Sequence, residues 1–130
     1  MTGEPLLSLA DIDALARHVL AALPHRFRRE LDAVVVRVEE FPDGETAAAL
    51  RLRSPFDLLG LYRGVALPDK SLSDPSPSID MIFLYRRPIL AYCDRVGEPL
   101  SRVVRHVLIH EVGHHFGFSD ADMARIESVR

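Results

Sequence analysis

The sequence predicts a single α+β domain over residues 1–130, in which a small mixed or antiparallel sheet packs against a long helix and its flanking helices. A length of 130 residues is typical of one domain. Hydrophobic residues make up 48 % of the chain, which suffices for one modest core. Short β-branched segments alternate with segments whose apolar residues have helical spacing, as expected for a sheet flanked by helices.

The N-terminal segment has the signals of an amphipathic helix. Ser8 and Asp11 have the spacing of a capping box, with Asp in place of the usual Glu. Apolar residues then recur at helical spacing, and the helix is expected to end near Pro24. A second short helix is predicted over 27–31, and the β-branched segment 33–38 predicts a strand.

The middle of the chain predicts two further strands joined by a loop. Residues 42–44, Pro-Asp-Gly, indicate a turn, and residues 45–55 fit neither the helical nor the strand period. Segment 58–67 predicts a strand with a glycine irregularity, and segment 79–85 predicts a second strand that pairs with it. The connection 68–78 holds three prolines and four serines, which indicate a loop.

The last third of the chain predicts helices. One helix is expected to begin at Pro88 and to be interrupted at Gly97. Residues 100–116 predict one largely buried helix, because apolar residues surround much of its circumference. Gly117 stands where helices favour a terminating glycine, and a last helix is expected over about 119–128.

Charge and cysteine usage narrow the function class. A net charge of −3 argues against nucleic acid as the main partner, because phosphate binding requires a basic face. Cys93 is the one cysteine, so no internal disulfide can form, and this usage suits a reducing compartment. The first residues lack the pattern of a signal peptide, and no apolar run reaches the roughly 18 residues of a membrane span. The sequence therefore predicts a cytoplasmic protein with no membrane partner.

A histidine pair with an adjacent glutamate lies in the predicted helix 100–116. His110 and His114 stand four residues apart, so both imidazoles lie on one helix face with Cβ atoms about 6 Å apart. Two ligands of one tetrahedral zinc require this separation. Glu111 points about 100° around the helix from His110. It can therefore border the open metal position as a general base rather than as a ligand.

A catalytic zinc needs a third protein ligand. Gly117 permits a sharp turn after the helix, and Asp120, three residues later, can then return to the metal. The alternative is a ligand from a downstream helix, where Glu127 is the only glutamate and Asp122 is a weaker substitute. We therefore predict one zinc ion per chain, held by the two histidines and Asp120. Imidazole and carboxylate ligands also permit another divalent metal.

The complete motif, H-E-x-x-H-x-x-G-x-x-D, matches the metzincin consensus with Asp where the third His usually stands. The segment 105–123, with VLIHEVGHHFGFSD at 107–120, resembles a family of small bacterial zincin-like proteins, the minimal metzincin-like metallopeptidases. GLYRGV at 60–65 and IFLYRRP at 82–88 are similar to the middle section of that family. The likeness covers about residues 10–125.

The resemblance implies a compact α+β domain that hydrolyses peptide bonds. It implies zinc ligands at His110, His114 and Asp120 and a catalytic Glu111. One departure from full metzincins is that Met123 stands too close to Asp120 to form their later methionine-bearing turn. The expected substrates are therefore short peptides or unfolded proteins rather than folded ones.

Four further residues have an ordinary interpretation beside a functional one. His106 lies one turn before the first ligand and is interpreted as a helix-face histidine that can support that ligand, while His115 is assigned no role. Tyr62 and Tyr85 are interpreted as core aromatics, although a tyrosine hydroxyl can stabilise an oxyanion in such sites. Strand 79–85 can offer its edge to an extended peptide if it lies at the edge of the sheet.

Two other functions remain open beside a zinc-dependent peptidase. The first is a binding module that keeps the fold and acts through a partner, which the missing methionine turn motivates. The second is a compact metal-dependent endoribonuclease with a three-histidine site, against which Glu111 and the acidic charge balance argue. Metal content and hydrolysis of peptides or RNA discriminate among the three.

Overall fold

The computed structural model describes residues 7–64 and 79–118, together with residues 121, 122 and 125. The helices and strands in these ranges are α1 (Leu9–Ala21), α2 (His25–Leu31), β1 (Val35–Glu39), α3 (Gly44–Ala49), β2 (Gly60–Arg63), β3 (Met81–Tyr85), α4 (Arg86–Val96) and α5 (Leu100–Phe116). A 3₁₀ turn at Pro55–Asp57 precedes β2. The predicted α+β class is confirmed.

The three strands form one mixed sheet in the order β1-β3-β2. Ile82 of β3 lies opposite Val36 of the parallel strand β1 and opposite Tyr62 of the antiparallel strand β2. The predicted pairing of the two middle strands is therefore confirmed. Because β3 is paired on both sides, it cannot offer an edge to a peptide. Within the described ranges, the edges of the sheet belong to β1 and β2.

The core lies between the sheet and the helices α1 and α5. Ile82 and Leu84, alternate residues of β3, are fully buried. They belong to one apolar cluster with Ile12 of α1 and Leu108 of α5. Full burial of a side chain of this size contributes about 1.5–3 kcal/mol. The apolar face of α5 is thus held against the sheet, and its C-terminal half lies beside β2 and β3.

Side-chain caps define where several helices begin. Ser8 and Asp11 form the predicted capping box of α1, with the backbone N–H of Ser8 donating to Asp11 at 2.9 Å. Asp43 was expected in a turn, but it caps α3 by accepting a hydrogen bond from the Thr46 N–H at 2.7 Å. Pro-Asp-Gly is compatible with both structures, because Asp is favoured in turns and at helix N-caps alike.

The remaining boundaries differ little from the predicted ones. α4 begins at Arg86, directly after β3, rather than at Pro88. The predicted loop 68–78 and the predicted strand residues 65–67 lie outside the described residues, as does most of the helix expected over 119–128. No helix in the described part of the chain is long and apolar enough to cross a membrane.

Candidate active site

Helix α5 presents the motif residues as two neighbouring pairs with the same spacing. His110 and His114 form one pair, and Glu111 and His115 form the other, one residue further along the helix. Residues four apart share one face of an α-helix. His110 is half-buried and His114 exposed, whereas Glu111 is half-buried and His115 is buried. One pair is therefore open to a ligand, and the other faces the protein.

The turn after α5 has the geometry that the motif requires. Gly117 adopts a left-handed conformation with φ of 73°, which glycine tolerates at low cost. The N–H of Phe118 donates to the carbonyl of Gly113 at 2.9 Å, and the N–H of Gly117 donates to the carbonyl of His114 at 3.1 Å. This pair of bonds defines a Schellman motif. The predicted end of the helix at Gly117 is confirmed.

Aromatic packing anchors the same turn to the body of the domain. The rings of Phe116 and Phe118 stack with centroids 5.3 Å apart. Both rings contact the edge of the buried Phe27 ring in α2, at 5.3 Å and 5.8 Å. Such aromatic pairs stabilise by about 0.5–1.5 kcal/mol beyond the area that they bury. The chain that leaves the histidine pair is thus directed by packing as well as by Gly117.

The donor set fits a zinc ion as far as the described residues extend. His110 and His114 supply two imidazoles on one helix face, which is the usual arrangement of two zinc ligands. Within residues 7–64 and 79–118, no three His, Cys, Asp or Glu side chains surround a metal position. The predicted third ligand, Asp120, lies outside the described residues. Its role therefore remains a prediction.

Glu111 lies directly against the edge strand β2. A Cβ placed on Gly60 would lie 3.5 Å from Cγ of Glu111 and only 2.6 Å from Cγ1 of Val107. Ordinary carbon contacts begin near 3.5 Å, so only glycine allows the strand to approach the helix this closely. Gly60 therefore brings the backbone of β2 to the carboxylate.

The register of β2 determines which of its backbone groups face outward. The N–H of Tyr85 donates to the carbonyl of Leu59 at 2.9 Å. Hydrogen-bonded pairs alternate along an antiparallel ladder, so Gly60 and Tyr62 direct their N–H and C=O groups away from β3. Among the described strands, the outer edge of β2 thus presents these groups next to Glu111, and the N–H of Tyr62 faces its carboxylate.

The environment of Glu111 changes its proton affinity in two directions. Burial raises the pKa of the carboxyl group, and this effect dominates. The charge of His114 and the backbone N–H of Tyr62, which faces the carboxylate, lower the pKa in part. A carboxylate whose pKa is raised is a stronger base, which suits it to accept a proton.

Three residues that the sequence did not place in the site meet behind Glu111. The hydroxyl oxygen of Tyr62 lies 2.8 Å from Nδ1 of His115 and 3.2 Å from Oδ1 of Asp80. His115 is 2 % exposed and Asp80 7 %. Burial and the carboxylate of Asp80 raise the pKa of Tyr62. His115 was assigned no role because its partners come from other parts of the chain. Its spacing of four from Glu111 was the one signal that it shares that face.

The other two candidates are closer to their ordinary interpretation. Tyr85 is buried and its ring stacks on Phe83. Burial raises the pKa of its hydroxyl to about 12, Arg63 opposes this shift, and acidic neighbours that include Glu111 add to it. His106 is exposed, and its ring meets the His110 ring edge-on at 4.8 Å. It therefore contacts His110 from the solvent side.

Comparison with known proteins agrees with this arrangement. No curated protein gives a significant match to the chain. The sequence profile of the zincin-like metallopeptidases matches residues 31–129, which include all three strands, the motif helix and Asp120. That match extends well beyond the motif itself, and it confirms the resemblance seen in the sequence. The chain belongs to the zincin-like metallopeptidase family.

Proposed function

We propose that this chain is a zinc-dependent peptidase that hydrolyses short or unfolded peptides, with His110, His114 and Asp120 as metal ligands and Glu111 as the general base. The observation that carries the proposal is the position of Glu111, half-buried between the histidine pair and the free edge of β2. Membership of a family that generally binds zinc supports the choice of metal.

The residues divide the chemistry among them. A zinc ion held by the three ligands would polarise the scissile carbonyl and make water a usable nucleophile near neutral pH. The Glu111 carboxylate takes a proton from the attacking water and delivers it to the leaving amine nitrogen. Burial raises the pKa of this carboxyl group and so makes the carboxylate a stronger base for the first of these transfers. Partial burial also limits the bulk water that competes for the proton.

The substrate is an extended peptide in this proposal. Gly60 directs its backbone groups toward the outer edge of β2 in the described sheet, and an extended chain can pair with such an edge. β2 has four residues, so few backbone bonds are available, which suits short or unfolded peptides. We place this activity in the cytoplasm, in keeping with the single free cysteine, Cys93.

Metal content is the first test. Protein purified without a metal-affinity tag is compared with Asp120→Ala and with Asp122→Ala, a nearby carboxylate that already binds Arg125 at 2.6 Å. We expect about one zinc per chain in the native protein and in Asp122→Ala, and its loss in Asp120→Ala. Loss in Asp122→Ala alone would assign the third ligand to Asp122. A native protein that takes up no zinc would favour a metal-free binding module.

Hydrolysis of a peptide library is the second test. Glu111→Gln keeps the shape of the side chain and removes its ability to accept a proton. We expect turnover to fall by about 10²–10⁴-fold, the usual contribution of a general base, while zinc content stays unchanged. Unchanged turnover in this variant would exclude Glu111 as the base.

A further inference from the structure

The side chains of half-buried Tyr62 and buried His115 and Asp80 form a polar cluster that has no part in the chemistry proposed above. Its members come from three separate elements: Tyr62 lies in β2, Asp80 immediately precedes β3, and His115 lies in the last turn of α5. Nδ1 of His115 also lies 4.0 Å from Oδ2 of Asp80. A buried polar cluster costs free energy unless its members bind one another. We therefore expect this cluster beside Glu111 to have a function.

The bonds within the cluster have a defined direction. The Tyr62 hydroxyl donates its proton to Asp80. A hydroxyl has one proton, so the same oxygen accepts a hydrogen bond from His115 in the tautomer that carries its proton on Nδ1. The chain of donors thus runs from α5 through β2 to the start of β3. The Tyr62–His115 bond joins two elements that are far apart in sequence, whereas the Tyr62–Asp80 bond joins consecutive strands.

Tyr62 also reaches the base through its backbone. Glu111 and His115 lie on the same face of α5, one helical turn apart. The hydroxyl of Tyr62 contacts His115, and its backbone N–H faces the carboxylate of Glu111. One strand residue therefore contacts the helix at two successive turns. Two such contacts fix both the height of β2 along the helix and its rotation.

We propose that Tyr62, His115 and Asp80 are positioning residues that lock β2 onto α5 and so hold Glu111 at the edge of the strand. This inference deepens the proposed function and rests on it only for the role of Glu111. The contacts among these three residues are present whatever reaction the site performs. The three side chains act through the strand and the base, and none of these side chains touches the reacting atoms.

A neighbouring glycine shows how closely the cluster is packed. A Cβ on Gly64, the residue after β2, would overlap Oδ1 of Asp80 and lie 2.9 Å from the Tyr62 hydroxyl oxygen. An alanine at this position would therefore push both partners apart. Gly64→Ala breaks the cluster by displacement, whereas Tyr62→Phe breaks it by removing one oxygen.

The first experiment compares Tyr62→Phe with Tyr92→Phe in the full chain. Both changes remove one hydroxyl and keep the ring, and Tyr92 lies in α4, outside the cluster. Hydrogen exchange is measured at the backbone N–H of residue 62 in metal-free protein. We expect exchange about tenfold faster in Tyr62→Phe, because the strand opens locally more often, and native exchange in Tyr92→Phe. Equal exchange in the two variants would overturn the proposal.

A second pair of variants keeps the test decisive if Tyr62→Phe folds poorly. His115→Asn retains a side-chain N–H near the position of Nδ1, and His115→Ala does not. We expect the exchange rate at residue 62 to stay within about threefold of native in His115→Asn and to rise about tenfold or more in His115→Ala. Exchange at residue 62 that is as fast in His115→Asn as in His115→Ala would contradict the proposal that His115 holds β2 on α5.

Kinetics separate positioning from general stability. For a peptide that the native protein cleaves, we expect Tyr62→Phe to lower kcat by about 10–100-fold, as removal of a supporting hydrogen bond typically does. Both KM and zinc content should stay near native. If Tyr62→Phe changed only KM, or only zinc content, the proposal that Tyr62 positions Glu111 would be overturned. If the native protein cleaves no peptide, the proposed function fails, and the exchange comparison alone decides whether the lock exists.

Discussion

The two pairs of polar side chains on α5 lie one residue apart in sequence and meet opposite environments. His110 and His114 face the open side of the helix, and the second of them is exposed. Glu111 and His115 face the sheet, where β2 contacts both. The first pair is available for binding, and the second is fixed by contacts within the protein. One helix thus combines an accessible histidine pair with a constrained carboxylate by a rotation of about 100°.

The comparison predicts that adjacent histidines respond differently to the same substitution. His114→Ala should lower zinc affinity by about 100-fold or more, since loss of a supporting partner alone costs 10–100-fold. The free energy of unfolding of the metal-free protein should change by less than about 0.5 kcal/mol, because the side chain is exposed. Chelator competition and urea unfolding measure the two effects. A large loss of metal-free stability would contradict the assignment of His114 to the open pair.

His115→Ala should show the reverse pattern. Its removal leaves Tyr62 and Asp80 short of a buried partner, which costs about 2–3 kcal/mol. Urea unfolding of the metal-free protein measures this loss. His106→Ala is the matched control, because His106 is an exposed histidine on the same helix, and it should change stability by less than about 0.5 kcal/mol. If His115→Ala and His106→Ala were equally stable, the open and the sheet-facing sides of α5 would not differ as proposed.

Gly60→Ala tests the close approach of strand and helix. The added methyl would lie 2.6 Å from Val107, and such overpacking costs about 1–3 kcal/mol. Gly44→Ala is the control, since a Cβ there meets nothing within 4 Å. We expect the control to be neutral in thermal unfolding. A neutral Gly60→Ala would show that β2 and α5 can separate without loss.

The smallest expected effect concerns Tyr85. This effect on stability appears only in alkali. Its pKa in the folded state is raised to about 12, against about 10 in the unfolded chain. The folded state therefore keeps a proton that the unfolded state loses, and the stabilisation present below pH 10 declines as the pH rises toward 12. Native protein should lose stability relative to Tyr85→Phe across this interval, as measured by urea unfolding. A constant difference between the two would contradict the shift.

The sequence predicted the features that depend on residues near one another along the chain. The capping box at Ser8, the helix end at Gly117 and the HExxH spacing on α5 are local patterns, and the first two appear as expected. The pairing of β2 with β3 was also predictable, because turn-forming residues join two strand patterns.

The features that sequence missed depend on contacts between distant segments. The place of β3 at the centre of the sheet follows from packing against β1, which no local pattern specifies. His115 was assigned no role, because its contacts with Tyr62 and Asp80 join segments that are distant in sequence. α3 was missed because Pro-Asp-Gly begins helices and forms turns with similar ease.

The mixed sheet also has a consequence for the order of folding. β2 and β3 are close in sequence, whereas β1 and β3 are far apart. Closing the shorter loop costs less entropy, so we expect the antiparallel pair to form before the parallel one. α5 follows all three strands, and Tyr62 meets Glu111 and His115 only when that helix docks. During synthesis the edge strand therefore emerges from the ribosome well before the histidines. The proposed hydrolytic competence therefore cannot arise before α5 has been synthesised and has docked on the sheet.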